Sequence, residues 1–255
     1  MAVVEFERRG STALLTLNRP EARNAISPEV SRTMTVHLDE IEADAALRAV
    51  VVTGRGEVFS AGADLKVVAQ GGADEIARGK GGFAGLVRRD FPKPIIAAVN
   101  GPALAGGFEI VLACDLVVAA ETARFGIPEV KRGLMAAAGG LIRLPKRIPL
   151  ATALELAMTG DPIDAARAFQ LGLVNRLVPG DRVVDEALAL AERIAENSPA
   201  AVRASRQLMR EAVELSEAEG WSRTIELMMP VFESGDAIEG ATAFAEKRPP
   251  VWRSS

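Results

Sequence analysis

The sequence predicts an α/β fold. Strand-like β-branched runs alternate with helical runs as far as about residue 150, and from there the pattern is almost wholly helical. The composition suits such a core: in 255 residues, 49% are hydrophobic and 25% charged, as expected of one sizeable globular unit with room for a small appendage.

The elements follow in order. "VVEFERR" and "TALLTLN" read as a hairpin around Gly10-Ser11. "SPEVSRTMTVHLDEI" predicts a helix over 28–46, with Ser27 as N-cap, Pro28 at the first helical position, and Val30, Met34, Leu38 and Ile41 on one face. "LRAVVVTG", "PIIAAVNG" and "CDLVVAAE" are three strands. Residues 68–90 hold six glycines and read as a mobile loop with a short helix. Those glycines form no nucleotide site. Gly79-Lys80 lacks the earlier glycine and the following Ser or Thr of a P-loop, and no glycine triplet has dinucleotide spacing. "ALELAMTG" predicts a helix stopped by Gly160, and "DAARAFQLGLVN" one between Asp164 and Gly172. "DRVVDEALALAERIAENSP" is a long amphipathic helix closed by Pro199, and helices continue through "AFAEKRPPVW". Two units are expected: 1–199 as the core and 200–255 as a helical segment that must pack on something.

The residue inventory excludes several chemistries. With one cysteine, Cys114, no disulfide can form within the chain. A Cys/His zinc site and a Ser-His-Asp triad would both need His37, which falls on the surface of the predicted helix. Tyrosine is absent, so acid–base work falls to Asp, Glu, Lys or that one imidazole. The net charge of −4 argues against a nucleic-acid binder with a broad basic surface. The start, "MAVVEFERRGSTALL", has no secretory pattern, and no apolar run is long enough for a membrane span, so a cytoplasmic setting is expected.

Three stretches stand out. "FSAGADLK" (59–66) follows a strand and contains Gly62-Ala63; "LAGGFE" (104–109) turns a strand into a helix near Gly106. Backbone amides from two such loops can converge on one oxygen as an oxyanion hole. Glu109 sits in an otherwise small, apolar run, and Glu129 follows Pro128 in "RFGIPEV". Two carboxylates beside an amide cradle suit proton transfer next to a carbonyl. The same residues also have a plainer reading. Small-residue runs serve tight strand–helix packing, a glutamate in a first helical turn is favoured by the helix dipole, and Glu129 can be a solvated loop residue.

The sequence resembles the crotonase superfamily, and within it the enoyl-CoA hydratases. The resemblance rests on "LNRPEARNAIS", "FSAGADLK", "AAVNGPALAGGFE", "ARFGIPEVKRGL", "MTGDPIDAARAFQLGLVNRLV" and "AIEGATAFAEKR", which together span nearly the whole chain. It implies a spiral of ββα units with a C-terminal helical oligomerisation segment, trimers paired into hexamers, and a coenzyme A thioester as substrate. It implies oxyanion donors at the amides of Ala63 and Gly106, and catalytic roles for Glu109 and Glu129. Arg23, Ala25, Ile26, Ala61, Asp64, Leu65 and Lys66 would lie along the acyl-CoA, with Phe244 and Lys247 reaching it from a neighbouring subunit. No metal or other cofactor is implied. The glutamate pair favours water addition or its reverse. One segment departs from the hydratase pattern: "GLMAAAGG" (133–140) stands where "GTIPGAGG" is usual, which alters the pocket wall. "GGFAGL" and "GDAIEGATAFAEKRPPVW" also resemble carnitinyl-CoA dehydratase, a sister with the same glutamate pair. That activity and a Δ-enoyl isomerase are the alternatives, and a non-catalytic or RNA-binding relative is the alternative of a different class.

Overall fold

The computed structural model describes residues 2–252. β1 (Val4–Arg9) and β2 (Thr12–Leu17) pair antiparallel, from Val4 opposite Leu17 to Arg9 opposite Thr12. Gly10 makes the turn at φ +58°, a conformation that favours glycine. α1 (Pro28–Ala43) buries Val30, Met34, Leu38 and Ile41, as the periodicity predicts, and Ser27 Oγ accepts from the Val30 amide at 3.3 Å. The helix stops before the predicted residue 46. Asp44 turns extended and its carboxylate accepts from the Ala46 amide at 2.9 Å, a local bond that competes with another helical turn.

β3 (Ala49–Gly54) adds parallel to β2. α2 (Leu65–Ala69) and α3 (Ala73–Ile76) occupy the first part of the glycine-rich stretch. The rest of that stretch is not the solvent loop expected from its glycines. Phe83, Ala84, Leu86 and Val87 are buried, and residues 83–85 pack on α1. Gly85 makes this possible: a Cβ there would lie 2.4 Å from Thr35 Oγ1, and its φ is +65°. Those glycines serve close backbone approach as well as chain freedom.

β4 (Ile95–Val99) continues the parallel sheet. β5 (Ala103–Leu104) leads directly into α4 (Gly106–Ala113), β6 (Leu116–Ala120) and β7 (Arg124–Gly126). α5 (Gly140–Arg147) and α6 (Leu150–Thr159) follow, with Gly160 as the left-handed cap of α6. β8 (Ile163–Asp164) precedes α7 (Ala165–Gln170), whose N-cap Asp164 accepts from the Arg167 amide at 2.7 Å. β9 (Arg176–Val178) precedes α8 (Val183–Ala195). Pro199 does not close α8 but opens α9 (Pro199–Glu211), with Ser198 as N-cap, because proline suits a first helical position, where no amide is needed. α10 (Glu217–Glu233) starts in a capping box of Ser216 and Glu219, and α11 (Asp236–Glu246) ends the described helices.

The main sheet has the order β1-β2-β3-β4-β6-β9, parallel from β2 onward, and β5-β7-β8 form a second, smaller sheet. Every residue of β3 and β4 is buried, as a sheet covered on both faces requires. α8 packs across β2, β3, β4 and β6. The smaller sheet lies beyond the carboxyl end of β4. The result is a mixed α/β core whose loops after the parallel strands gather at one end. Ligands of open parallel sheets bind at that end.

Candidate functional site

The loop after β3 and the turn after β4 meet at this end. Asn24, buried and left-handed at φ +52°, donates to the carbonyls of Arg55 (2.9 Å) and Val58 (2.7 Å). Ser60 Oγ donates back to the Asn24 carbonyl at 2.9 Å. The loop is thereby stitched to the chain before α1. The Ile26 amide donates to the Gly62 carbonyl (2.8 Å) and the Asp64 amide to the Ile26 carbonyl (3.0 Å), bracketing Ala63 in a parallel bridge to Ile26. In that bridge the Ala63 amide points away from its partner. Ser60 and Ala103 form a second bridge, which brings the β5 turn alongside.

α4 begins from an unusual residue. Ala105, its N-cap, sits at φ +52°, ψ −132°, a region that costs a non-glycine residue about 1–3 kcal/mol. Its amide donates to the Gly126 carbonyl (2.9 Å), and its carbonyl accepts from the Phe108 (2.9 Å) and Glu109 (3.1 Å) amides. The strain turns the chain sharply and leaves Gly106 as the first residue of the helix. Among the described residues, neither the Ala63 nor the Gly106 amide donates to a protein acceptor. The two loops touch: a Cβ on Gly62 would lie 2.7 Å from the Gly106 nitrogen, and Gly62 has φ +90°. Phe83 closes the other side, its Cζ only 2.4 Å from where a Gly106 Cβ would sit. Two free amides on adjoining backbones, one at a helix N-terminus, can hold one polarised oxygen.

Glu109 lies in the first turn of α4 and is only 3% exposed. Its Oε1 accepts from the Gly140 amide at 2.8 Å. Burial raises its carboxyl pKa above the ordinary range, while the amides of Gly140 and Ala138 and the charge of Arg143 pull the other way. Glu129 sits on the 3-10 turn Pro128–Arg132, after β7. Its Oε2 is buried with no hydrogen-bond partner. Burial pushes its pKa up to about 7, the Glu109 charge adds to the rise, and its own amide and Arg132 oppose it. Burial thus raises both carboxyls, opposed at Glu109 by backbone amides and the Arg143 charge and reinforced at Glu129 by an unpartnered Oε2. Two such carboxyls beside two free amides can share the work of taking a proton from water and giving one to carbon.

The structure brings together Ala63, Gly106, Glu109 and Glu129. It also places Arg23, Ala25 and Ile26 beside Ala61–Asp64, with the Ala61 amide donating to the Arg23 carbonyl at 3.0 Å. Asp64 is already engaged: it caps α2 through the Lys66 amide (3.2 Å) and pairs with Arg19 (3.1 Å). Leu65 and Lys66 are exposed on α2. Among the described residues, no hydrogen bond or ion pair joins Phe244 or Lys247 to these loops. α11 packs on α10, its Asp236 is bonded to Ser198, and Phe244 is 87% exposed. Sequence reasoning missed Asn24, Phe83 and the Ala138–Gly140 amides. A left-handed-tolerant Asn between two loops was the one available signal for Asn24. The amides act through the backbone, so side-chain identity says little about them.

The family described as Enoyl-CoA hydratase/isomerase matches residues 7–255. A carnitinyl-CoA dehydratase from Citrobacter koseri is 43% identical over 256 residues, which covers 98% of each chain. The crystal structure of an enoyl-CoA hydratase from Mycobacterium tuberculosis superposes over 100% of both chains with TM-score 0.95 and 47% identity. That of a carnitinyl-CoA hydratase from Mycobacterium avium covers 99% of both, with TM-score 0.77 and 47% identity.

Proposed function

The chain belongs to the enoyl-CoA hydratase/isomerase family, and we propose that within it the chain is a hydro-lyase that adds water across the α,β double bond of trans-2-enoyl-CoA thioesters. The observation that supports this reading is the meeting of two free amides with two carboxyls that burial holds above the ordinary carboxylate range. The thioester oxygen sits on the Ala63 and Gly106 amides, where each donor contributes about 3–4 kcal/mol of transition-state stabilisation. Polarisation makes the β-carbon electrophilic. Glu109 takes a proton from water as its oxygen bonds the β-carbon, and Glu129 gives its proton to the α-carbon. The product is the 3-hydroxyacyl-CoA, and the same groups run the reverse elimination. Backbone at 23–26 and 61–66 lies along the coenzyme A, whose remote binding energy holds the acyl part in place. No cofactor beyond the substrate's own coenzyme A is called for.

The second reading is elimination on a carnitinyl-CoA, the activity named for the Citrobacter relative. The segment after Glu129, where the Leu134 amide donates to the Glu129 carbonyl at 3.1 Å, is where the two substrates would be told apart.

Residues 200–255 are the segment through which chains associate, as a hexamer of paired trimers in the cytoplasm. On α10, Trp221 is 64% and Ile225 58% exposed, with Met228, Met229 and Phe232 on the same helix also uncovered. In the assembly Phe244 and Lys247 would complete a neighbour's site.

The test is loss of conjugated enoyl absorbance across a series of enoyl-CoA chain lengths, with crotonobetainyl-CoA and a 3-enoyl-CoA alongside. Glu109→Gln and Glu129→Gln should each lower kcat by about 10²–10⁴-fold with little change in substrate binding. Near wild-type turnover in either variant overturns its assignment, and preference for crotonobetainyl-CoA decides for the second reading.

A further inference from the structure

We propose that Arg143 is a positioning residue for the reaction: its guanidinium ties the loop that cradles Glu109 to the segment that walls the amide pair, and so holds both halves of the site in register. The inference rests on the reading of Glu109 as the group that activates water.

Arg143 lies in the first turn of α5, just past the altered 133–140 segment. Its Nη2 donates to the Val87 carbonyl at 2.5 Å and its Nη1 to the Ala138 carbonyl at 3.4 Å. These two carbonyls belong to different walls of the site. Val87 is in the buried stretch whose Phe83 ring lies against Gly106. Ala138 belongs to the loop whose Gly140 amide holds the Glu109 carboxylate at 2.8 Å. A planar fork with several donors in fixed geometry can bridge two carbonyls; an ammonium on a flexible stem holds no such angle.

The backbone is shaped to admit this fork. Gly139 has φ +104°, and a Cβ there would stand 2.0 Å from Arg143 Nη1. Gly140 is equally constrained on its other side, where a Cβ would come within 3.0 Å of Glu109 Oε1. The paired glycines therefore have separate tasks: Gly139 makes room for the guanidinium and Gly140 makes room for the carboxylate.

Among the described residues, the guanidinium is also a cation that acts on Glu109. The charged groups facing Glu109 are Arg143 from α5 and Glu129 from the turn Pro128–Arg132. They oppose one another. Arg143 favours the Glu109 anion, and an ionised Glu129 disfavours it. Removing Arg143 therefore loosens the amide cradle and raises the pH at which Glu109 ionises.

The experiment compares the full-length Arg143→Gln, Arg143→Lys and Gly139→Ala proteins with wild type. Arg143→Gln should lower kcat by about 10–100-fold, the usual cost of a misplaced catalytic group, with KM for crotonyl-CoA within threefold. Its acid limb in kcat should move to higher pH. Arg143→Lys should keep the charge and the wild-type limb but recover only part of kcat; Gly139→Ala should lower kcat with the charge in place. Carbon-13 titration of the Glu109 carboxyl in the free enzyme gives a readout independent of turnover, and it should shift upward in Arg143→Gln and not in Arg143→Lys. An unchanged carboxyl titration together with an unchanged kcat overturns the proposal. So does full recovery of kcat by lysine, which would reduce the role to charge. A wild type inert on every enoyl-CoA would overturn the hydratase reading instead, and the carboxyl titration would still decide whether Arg143 sets Glu109. Thermal melts monitored by circular dichroism identify any variant that loses activity by unfolding, and in that case the remaining two variants carry the decision.

Discussion

Raising the pH through 7 should switch off the reaction in both directions, and Glu129 should be the group responsible. Its carboxyl is lifted from 4.5 to about 7 because Oε2 is buried without a partner and Glu109 lies close. The protonated fraction is then about 90% at pH 6, 50% at pH 7 and 10% at pH 8, so kcat/KM should fall about tenfold per unit above the limb. Hydration starts with the proton on Glu129 and Glu109 ionised; elimination starts with the proton on the other carboxyl. These are two placements of one proton in a coupled pair, so both directions share the same limbs. Burial raises Glu109 as well, so the acid limb should lie above the ordinary carboxylate range. The assay is kcat/KM from pH 5 to 9, for crotonyl-CoA consumption and for 3-hydroxybutyryl-CoA elimination. Glu129→Gln should abolish the alkaline limb in the residual rate. A flat profile between pH 6 and 8, or the same limb surviving in Glu129→Gln, would refute the reasoning. The same shift bears on stability. A folded-state pKa raised above the unfolded one contributes stability that is full below about 4.5 and lost as pH rises through about 7. Glu129→Gln removes that buried charge. With allowance for solvent screening of a half-exposed group, it should stabilise the fold by about 1–2 kcal/mol at pH 8, or about 3–6 °C in Tm, and by almost nothing at pH 4.

Other outcomes follow from the same geometry. Gly62→Ala adds a Cβ 2.7 Å from the Gly106 nitrogen at a φ of +90°, so it should cost about 10²–10³-fold in kcat while leaving Glu109 able to titrate; wild-type turnover in a folded variant would remove the amide pair from the mechanism. Light scattering coupled to size exclusion should give a mass near six times 26.9 kDa. Ile225→Asp places a charge on the uncovered face of α10 and should shift that mass downward, with loss of activity if neighbouring chains complete the site. A fully active wild-type monomer at micromolar concentration would refute the assembly.

The candidate carboxyls were legible in the sequence because their chemistry is written in residue types. A glutamate inside "LAGGFEIV" is conspicuous, since a lone carboxylate among apolar residues is costly to bury. The strand runs and the α1 face were legible because burial imposes a period that the side chains must obey. The errors have equally local causes. Asp44 ended α1 early through its own side chain, and Pro199 opened a helix where it was expected to close one. The stretch 68–90 looked solvent-like because glycine reports backbone freedom and tight packing with the same letter, and only the fold showed that 83–87 is core.

The sequence by itself determined the α/β class, the helical run after residue 199 and the two glutamates set in apolar surroundings. These follow from composition and period, which are properties of single segments. The tertiary structure decided what depends on two segments at once: that Ala63 and Gly106 leave their amides free side by side, that Glu109 rests on the backbone of 138–140, and that Arg143 reaches from one wall of the site to the other. The physical reason is that these contacts are made largely by main-chain groups, which every residue carries alike. Their placement is set by how the loops close after the parallel strands.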